Sequence, residues 1–209
     1  MNERPLRRDA EENRRRLLAA AGELFAESGF EATMDEIATR AGLGVGTAYR
    51  RFANKDELIG ALFEDRIAKL VAVADEALAI ADPWQGLIAF LEQAIELQAR
   101  DRGLKELLFS SPHSREYVGQ ARLQIKPRVE ALVERAQRAG CLREGIEATD
   151  LALIQLMLCD ISDLARGQDP ELWRRFLPLF VDGLRADRSG PLPGRALSSD
   201  EFDAAIESA

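Results

Sequence analysis

Apolar residues recur at intervals of three and four along almost the whole chain, and strict alternation is nearly absent. That pattern predicts helices and no sheet. From Asp9 to Ser28, the residues Leu17, Leu18, Ala21, Leu24 and Phe25 form one stripe, and Gly29 stops it. "TMDEIATRAG" reads as a short helix with Thr33 as its N-cap, Glu36 three residues on to complete a capping box, and Gly42 as its end. A second short helix runs from about Val45 to Phe52. Asn54 then caps a long helix that reaches about Ala81, and Pro83 opens another that reaches about Ala99.

The middle of the chain is less regular. "DRGLKELLFSSP" predicts a short helix ended by Pro112. The stretch from Ser114 to Gly140 is helical in pattern but holds Pro127, which predicts a kink or break near Leu123. Thr149 is the expected cap of a helix ending at Gly167, and "PELWRRFLPLFVDGLRAD" is the last strong helix, bent or broken near Pro178. Beyond Ser189 the chain is rich in Pro, Gly, Ser and Ala. Disorder is expected there in preference to a short helix with Phe202 and Ile206 on one face. The expected fold is all-α with about nine helices. Residues 1–54 form an N-terminal helical domain, 55–188 a larger helical domain, and 189–209 a tail without order.

Composition narrows the class. The chain has 209 residues, of which 46% are hydrophobic and 31% charged, which suits a globular protein. The most apolar run, "LALIQLMLCDI", meets Asp160 well before a membrane-spanning length. The N-terminus has no apolar signal core, so no membrane association and a cytoplasmic location are expected. Cys141 and Cys159 lie far apart and match no metal spacing, which predicts free thiols and no metal site. One histidine, His113, no nucleophile elbow and no glycine-rich phosphate loop after a strand argue against an enzyme and against a cofactor.

The net charge is −8, which opposes non-specific binding of nucleic acid by the whole molecule. Acidic and basic side chains nearly balance over residues 1–55, however, and the acidic excess lies in the remainder. Within that near-neutral head, "GLGVGTAYRRFANKDEL" joins two short helices through a glycine-containing turn, as a helix-turn-helix does. A recognition helix must be slim on the side that enters the DNA major groove. Gly44, Gly46, Thr47 and Ala48 supply small residues. Leu43, Ala48 and Phe52 can anchor the buried side on Ile37, Ala38, Leu24 and Phe25. Tyr49 and Arg51 can reach phosphates, and Arg50 either a phosphate or a guanine. Lys55 begins the next helix, where its charge and free backbone N–H groups can hold a phosphate. Of Arg14, Arg15 and Arg16, at least one must face away from DNA. "RPLRR" at the N-terminus fits a minor-groove arm or a solvated tail equally.

"GFEATMDEIATRAGLGVGTAYRRFANKDELI" resembles the DNA-binding domain of TetR-type transcriptional regulators, from about Leu17 to Leu62. The resemblance rests on Gly29-Phe30, Ala32-Thr33, Ile37-Ala38, Ala41-Gly42, Gly46-Thr47, Tyr49, Phe52, Lys55 and Leu58. It implies phosphate contacts from Thr33, Tyr49, Arg51 and Lys55, and a base-facing side at Val45, Gly46, Thr47 and Arg50. The family often has Ser at the position of Gly44, His at Arg51 and Leu at Ala48. It also implies a homodimer on double-stranded palindromic DNA, a small-molecule effector and, as the commoner mode, repression.

"DPWQGLIAFLEQAIELQARDRGLKELL" resembles one subgroup of TetR-type ligand domains. Independently of the resemblance, the helix over Thr149–Gly167 is apolar on nearly every face and that over Leu172–Leu184 carries a broad apolar face, which suits a four-helix interface between two copies. Phe90, Gln93, Phe109, Tyr117, Gln120, Met157 and Asp160 are the candidate lining of a pocket for an apolar or amphipathic effector. Trp84, His113, Trp173, Glu96, Gln124 and Gln155 are further candidates. The alternative is a DNA-binding module whose C-terminal body binds a protein partner or no effector.

Overall fold

The computed structural model describes residues 3–28, 31–99, 114–188, 190 and 192–207. Among them are nine α-helices, one 3-10 turn and no strand. The helices are α1 (Glu3–Ser28), α2 (Met34–Arg40), α3 (Val45–Arg51), α4 (Lys55–Ala79), α5 (Pro83–Ala99), α6 (Ser114–Arg138), α7 (Ala148–Ala165), α8 (Trp173–Leu184) and α9 (Ser199–Glu207). No described helix is long and apolar enough to cross a membrane. The helix expected over 101–112 lies outside the described residues.

The chain forms two compact units. Among the described residues, the first takes those up to 66 together with 114–118, and the second takes 67–99 together with those from 119 on. The core of the first comes from the stripe on α1 (Leu17, Leu18, Ala21, Phe25), from Ile37 and Ala38 on α2, from Ala48 and Phe52 at α3, and from Leu58 and Leu62 on α4. Thr33 caps α2 as its sequence requires. Its side chain accepts from the Glu36 N–H, and Glu36 accepts from the Thr33 N–H at 2.7 Å. Asn54 does the same for α4, accepting from the Glu57 N–H at 2.8 Å.

In the second unit α5 packs on α7, and α7 on α8. Trp84, Leu87, Phe90, Leu91 and Ile95 of α5 meet Leu132, Val133 and Ala136 of α6, Leu151, Ile154 and Leu158 of α7, and Trp173 and Leu177 of α8. Asp82 caps α5 by accepting from the N–H groups of Trp84 and Gln85, at 2.8 and 2.9 Å. Arg135 donates to the carbonyls of Leu78 and Ile80, where α4 ends. Cys141 and Cys159 are free thiols.

Three expectations are corrected. Pro127 and Pro178 break neither helix: α6 and α8 run through them. At Pro127, an Arg128 side chain held on Asp75 at 2.7 Å also donates to the Gln124 carbonyl, one turn back. Thr149 is not the cap of α7. Glu147 stands at the N-cap and its N–H donates to Asp150 at 2.9 Å, while the Thr149 hydroxyl donates to the Leu197 carbonyl at 2.8 Å. That bond belongs to the third correction, because the described part of the tail is ordered. Arg143 donates to the carbonyls of Gly183 and Gly190. Ser198 and Glu201 form a capping box at the start of α9, and Arg195 grips the Glu201 carboxylate with both terminal nitrogens at 2.6 Å.

Two measurements check this packing. A Cβ at Gly86 would stand 2.7 Å from the Ala77 carbonyl oxygen, a backbone atom that cannot step aside. Gly86→Ala is therefore expected to destabilise the second unit by about 1–3 kcal/mol, read as a fall in the urea midpoint. Arg195, and after it the Ser198 N–H and hydroxyl, lower the Glu201 pKa from 4.5 to about 2. A lowered carboxylate pKa contributes stability that is present above the ordinary value and is lost as pH falls through the folded one. In carboxyl NMR titrations the Glu201 midpoint is expected near about 2 in the native chain, and to rise toward the ordinary carboxylate range in Arg195→Ala.

Candidate nucleic-acid interface

Ala48 is fully buried and Phe52 nearly so, which turns the opposite side of α3 outward. Val45 is 38% and Tyr49 48% exposed. They stand one helical turn apart and form an exposed apolar pair. Gly44, Gly46 and Arg50 are also exposed, and Thr47 and Arg51 are half-buried. The structure thus gathers Gly44, Val45, Gly46, Thr47, Tyr49 and Arg50 on and beside one short helix.

The turn before α3 depends on Gly42. Its φ of +65° is a left-handed conformation that side chains disfavour. The Arg16 guanidinium closes over it, donating to the carbonyls of Ala41 at 2.5 Å and Gly42 at 3.1 Å. A Cβ at Gly42 would lie 2.8 Å from that guanidinium. Arg16 therefore holds the turn, and Arg15 pairs with Glu12 on its own helix. Arg40 joins α2 to α1 through Glu27 at 2.8 Å and Glu23 at 3.3 Å. The hydrogen bonds from Arg40 and its charge draw the Glu27 pKa down.

Thr33 and Lys55 lie in the same unit. The Thr33 hydroxyl donates to Glu36 at 2.8 Å, so in this state its proton serves the start of α2 rather than a phosphate. Those bonds lower the Glu36 pKa, with a smaller contribution from the Lys55 charge. Lys55 is the first residue of α4 and its ammonium sits 5.9 Å from the centre of the Phe25 ring. Neither Arg50 nor Arg51 forms an ion pair among the described residues, and the single polar partner of Arg50 is the Thr47 hydroxyl at 2.9 Å. Arg40, Arg128, Arg174 and Arg195, by contrast, are all matched to carboxylates.

Residues 17–62 match the family model described as "Bacterial regulatory proteins, tetR family", and residues 82–186 match "Transcriptional regulator SbtR-like, C-terminal domain". The chain is 33% identical over 168 residues to the HTH-type transcriptional activator FasR of Mycolicibacterium smegmatis, covering 79% of this chain and 76% of that one. The chain belongs to the TetR family of transcriptional regulators. A TetR regulatory protein from Mycobacterium vanbaalenii superposes with a TM-score of 0.65 at 32% identity, over 87% of this chain and 99% of that one. The regulator FadR from Bacillus subtilis, solved in complex with stearoyl-CoA, shares the fold with a TM-score of 0.66 at 20% identity, over 81% of this chain and 98% of that one. The TetR family is one of DNA-binding regulators and not of enzymes.

Of the candidate effector residues, Phe90, Gln93, Met157 and Asp160 have described side chains, and these four do not line one site. Phe90 is 1% exposed in the core of the second unit, and Gln93 is exposed on α5. Met157, 45% exposed, and Asp160 stand on the outward side of α7. Phe109 and His113 lie outside the described residues, as do the side chains of Tyr117 and Gln120 on α6. Trp84 and Trp173 are core residues. Gln155 does mark a buried polar spot, accepting from Gln98 at 3.1 Å beside Cys159. A cleft of about 1030 Å³ lies elsewhere, between the ordered tail at Arg195–Ser199 and the start of α7, and none of the candidate residues lines it. Its tail wall follows from the Ser198–Glu201 capping box, a signal the sequence carries.

Arg16→Ala is expected to cost the first unit about 1.5–3 kcal/mol, the worth of hydrogen bonds from a charged donor, seen as a lower unfolding midpoint. Because Arg16 serves the turn, the dependence of DNA binding on salt should keep its slope, which counts phosphate contacts.

Proposed function

We propose that this TetR-family regulator is a homodimeric repressor that reads a palindromic operator through α3 and leaves it when a small effector binds the C-terminal body. Residues 1–54 would form the DNA-binding domain and residues 55–188 the effector-binding and dimerisation domain. The observation that carries the DNA part is the outward side of α3. In a chain of net charge −8, that side keeps a guanidinium with no carboxylate partner beside small residues and the exposed pair Val45 and Tyr49. Tyr49, Arg51 and Lys55 supply phosphate contacts, and Val45, Gly46, Thr47 and Arg50 face the bases. Work on a chromosome entails the cytoplasm.

Dimerisation is supported by apolar side chains left on α7 and α8. Leu164 is 85%, Leu179 67% and Met157 45% exposed, with Ile161, Phe180 and Val181 half-buried near them in sequence. Water-facing leucines at this density favour burial against a second copy, and a palindrome read by two heads requires one. The effector is proposed to be an acyl-type amphipathic molecule. The support is the likeness in fold to the B. subtilis regulator solved with stearoyl-CoA. One observation favours a second mode: the M. smegmatis relative at 33% identity is an activator by name.

Selection from a random duplex pool tests the reading. The native chain is expected to recover a palindrome, and a Tyr49→Ala plus Arg51→Ala variant to lose it. Failure of the native chain to enrich any sequence, with and without acyl-CoA, would overturn DNA reading by α3. Transcription from the selected site in a purified system then separates the modes: repression lowers transcript on adding protein, activation raises it.

A further inference from the structure

Arg50 grows from the last turn of α3, yet its charge does not stay there. Long helical side chains lie back over the preceding turn, and here Nη2 reaches the Thr47 hydroxyl at 2.9 Å. Nη1 lies 3.8 Å from the place a Cβ on Gly46 would occupy. The guanidinium therefore rests beside Gly46, over the first turn of the recognition helix. That is the end whose residues meet base edges when such a helix enters a major groove. Arg51, one residue on, has no such tether among the described residues. A phosphate contact needs only a flexible cation within reach. A base contact needs a fixed plane, because O6 and N7 of guanine take two parallel N–H bonds. The guanidinium is a rigid planar fork of five donors. One of these is given to Thr47, and the others are open to a base.

We infer that Arg50 reads a guanine in each half-site, and that Thr47 is the positioning residue whose hydroxyl holds the Arg50 guanidinium at the base-facing end of α3. This role rests on the DNA binding proposed above and adds to it a base identity and the residue that fixes it. The small side at Gly46 gives the guanidinium room to lie along the helix. Arg51 and Tyr49 are left to the phosphates.

The test is selection of duplexes from a random pool by the full chain and by Arg50→Ala, Thr47→Val and Thr47→Ser. Each base position is then scored by competition binding on the selected palindrome. The native chain is expected to prefer G·C at one position per half-site by about tenfold or more. Arg50→Ala should lose that preference while keeping the other positions and the spacing. Thr47→Val, close in shape but without the acceptor, should weaken it, and Thr47→Ser, which restores the hydroxyl, should recover it. All these side chains are exposed or half-buried on α3, and thermal unfolding of each variant confirms that the head stays folded. A palindrome whose guanine survives Arg50→Ala would overturn the inference alone. So would a uniform loss of affinity at every position with a shallower salt slope, which marks a phosphate contact. A preference indifferent to Thr47→Val would overturn the positioning role. No enrichment by the native chain would overturn the DNA-binding proposal and this inference with it.

Discussion

The burial of Ala48 and Phe52 against Ile37, Ala38 and Phe25 is the contact on which the head depends. Successive helical residues point about 100° apart, so fixing one side of a seven-residue helix fixes all the others. With Ala48 inside, Gly46 and Arg50 fall on the opposite side, and Val45 and Tyr49 on the flanks are 38% and 48% exposed. α3 is too short to be stable alone. Its conformation is imposed by that contact, by the left-handed Gly42 and by the Arg16 clasp on the preceding carbonyls. The small size of Ala48 matters in the same way, because it lets α3 seat close to α2 with no part of the side chain left in water.

Charge pairing gives the head its second property. Arg40 is tied to Glu23 and Glu27, so a basic residue at the end of α2 is neutralised within the fold and stitches α2 to α1. Exposed pairs of this kind contribute little stability each. Their larger effect is on the field around the molecule. Among the described residues, Arg50 and Arg51 of α3 form no ion pair. In an acidic protein such unpaired cations mark the surface that a polyanion meets with least repulsion.

What could be read from the sequence was local chemistry. Thr33 with Glu36 and Asn54 before α4 each satisfy backbone donors within three residues of themselves, Pro83 opens α5 where a missing N–H costs nothing, and each stands as expected. Where competing local partners exist, spacing alone does not decide between them. Thr149 looked like a cap, but Glu147 and Asp150 took that task and left its hydroxyl for Leu197. Pro127 and Pro178 each remove one helical bond, and the apolar burial of α6 and α8 on α5 and α7 outweighs that loss. Composition alone predicts a tail without order, whereas Ser198 and Glu201 carry the same capping-box spacing as Thr33 and Glu36 and start α9. The candidate effector residues are the least legible. Phe90 and Met157 look alike as apolar helical positions, and which faces the core and which faces water is decided only by how α5 and α7 meet.

That last distinction bears on assembly. α7 is apolar on nearly every side, and one chain can bury only part of it: Leu151, Ile154 and Leu158 go inward while Met157 and Leu164 remain in water. A chain that needed α7 only for its own core would gain by placing charged residues at 157 and 164, since exposed leucines bring no folding energy and invite aggregation. Keeping them apolar makes sense if the outward face is covered in the working protein. A second copy presenting the same face satisfies this without a new surface, because a two-fold interface uses one patch twice. Asp160 then sits amid that apolar face as a polar group, the kind of residue that penalises misaligned pairings more than it strengthens the correct one.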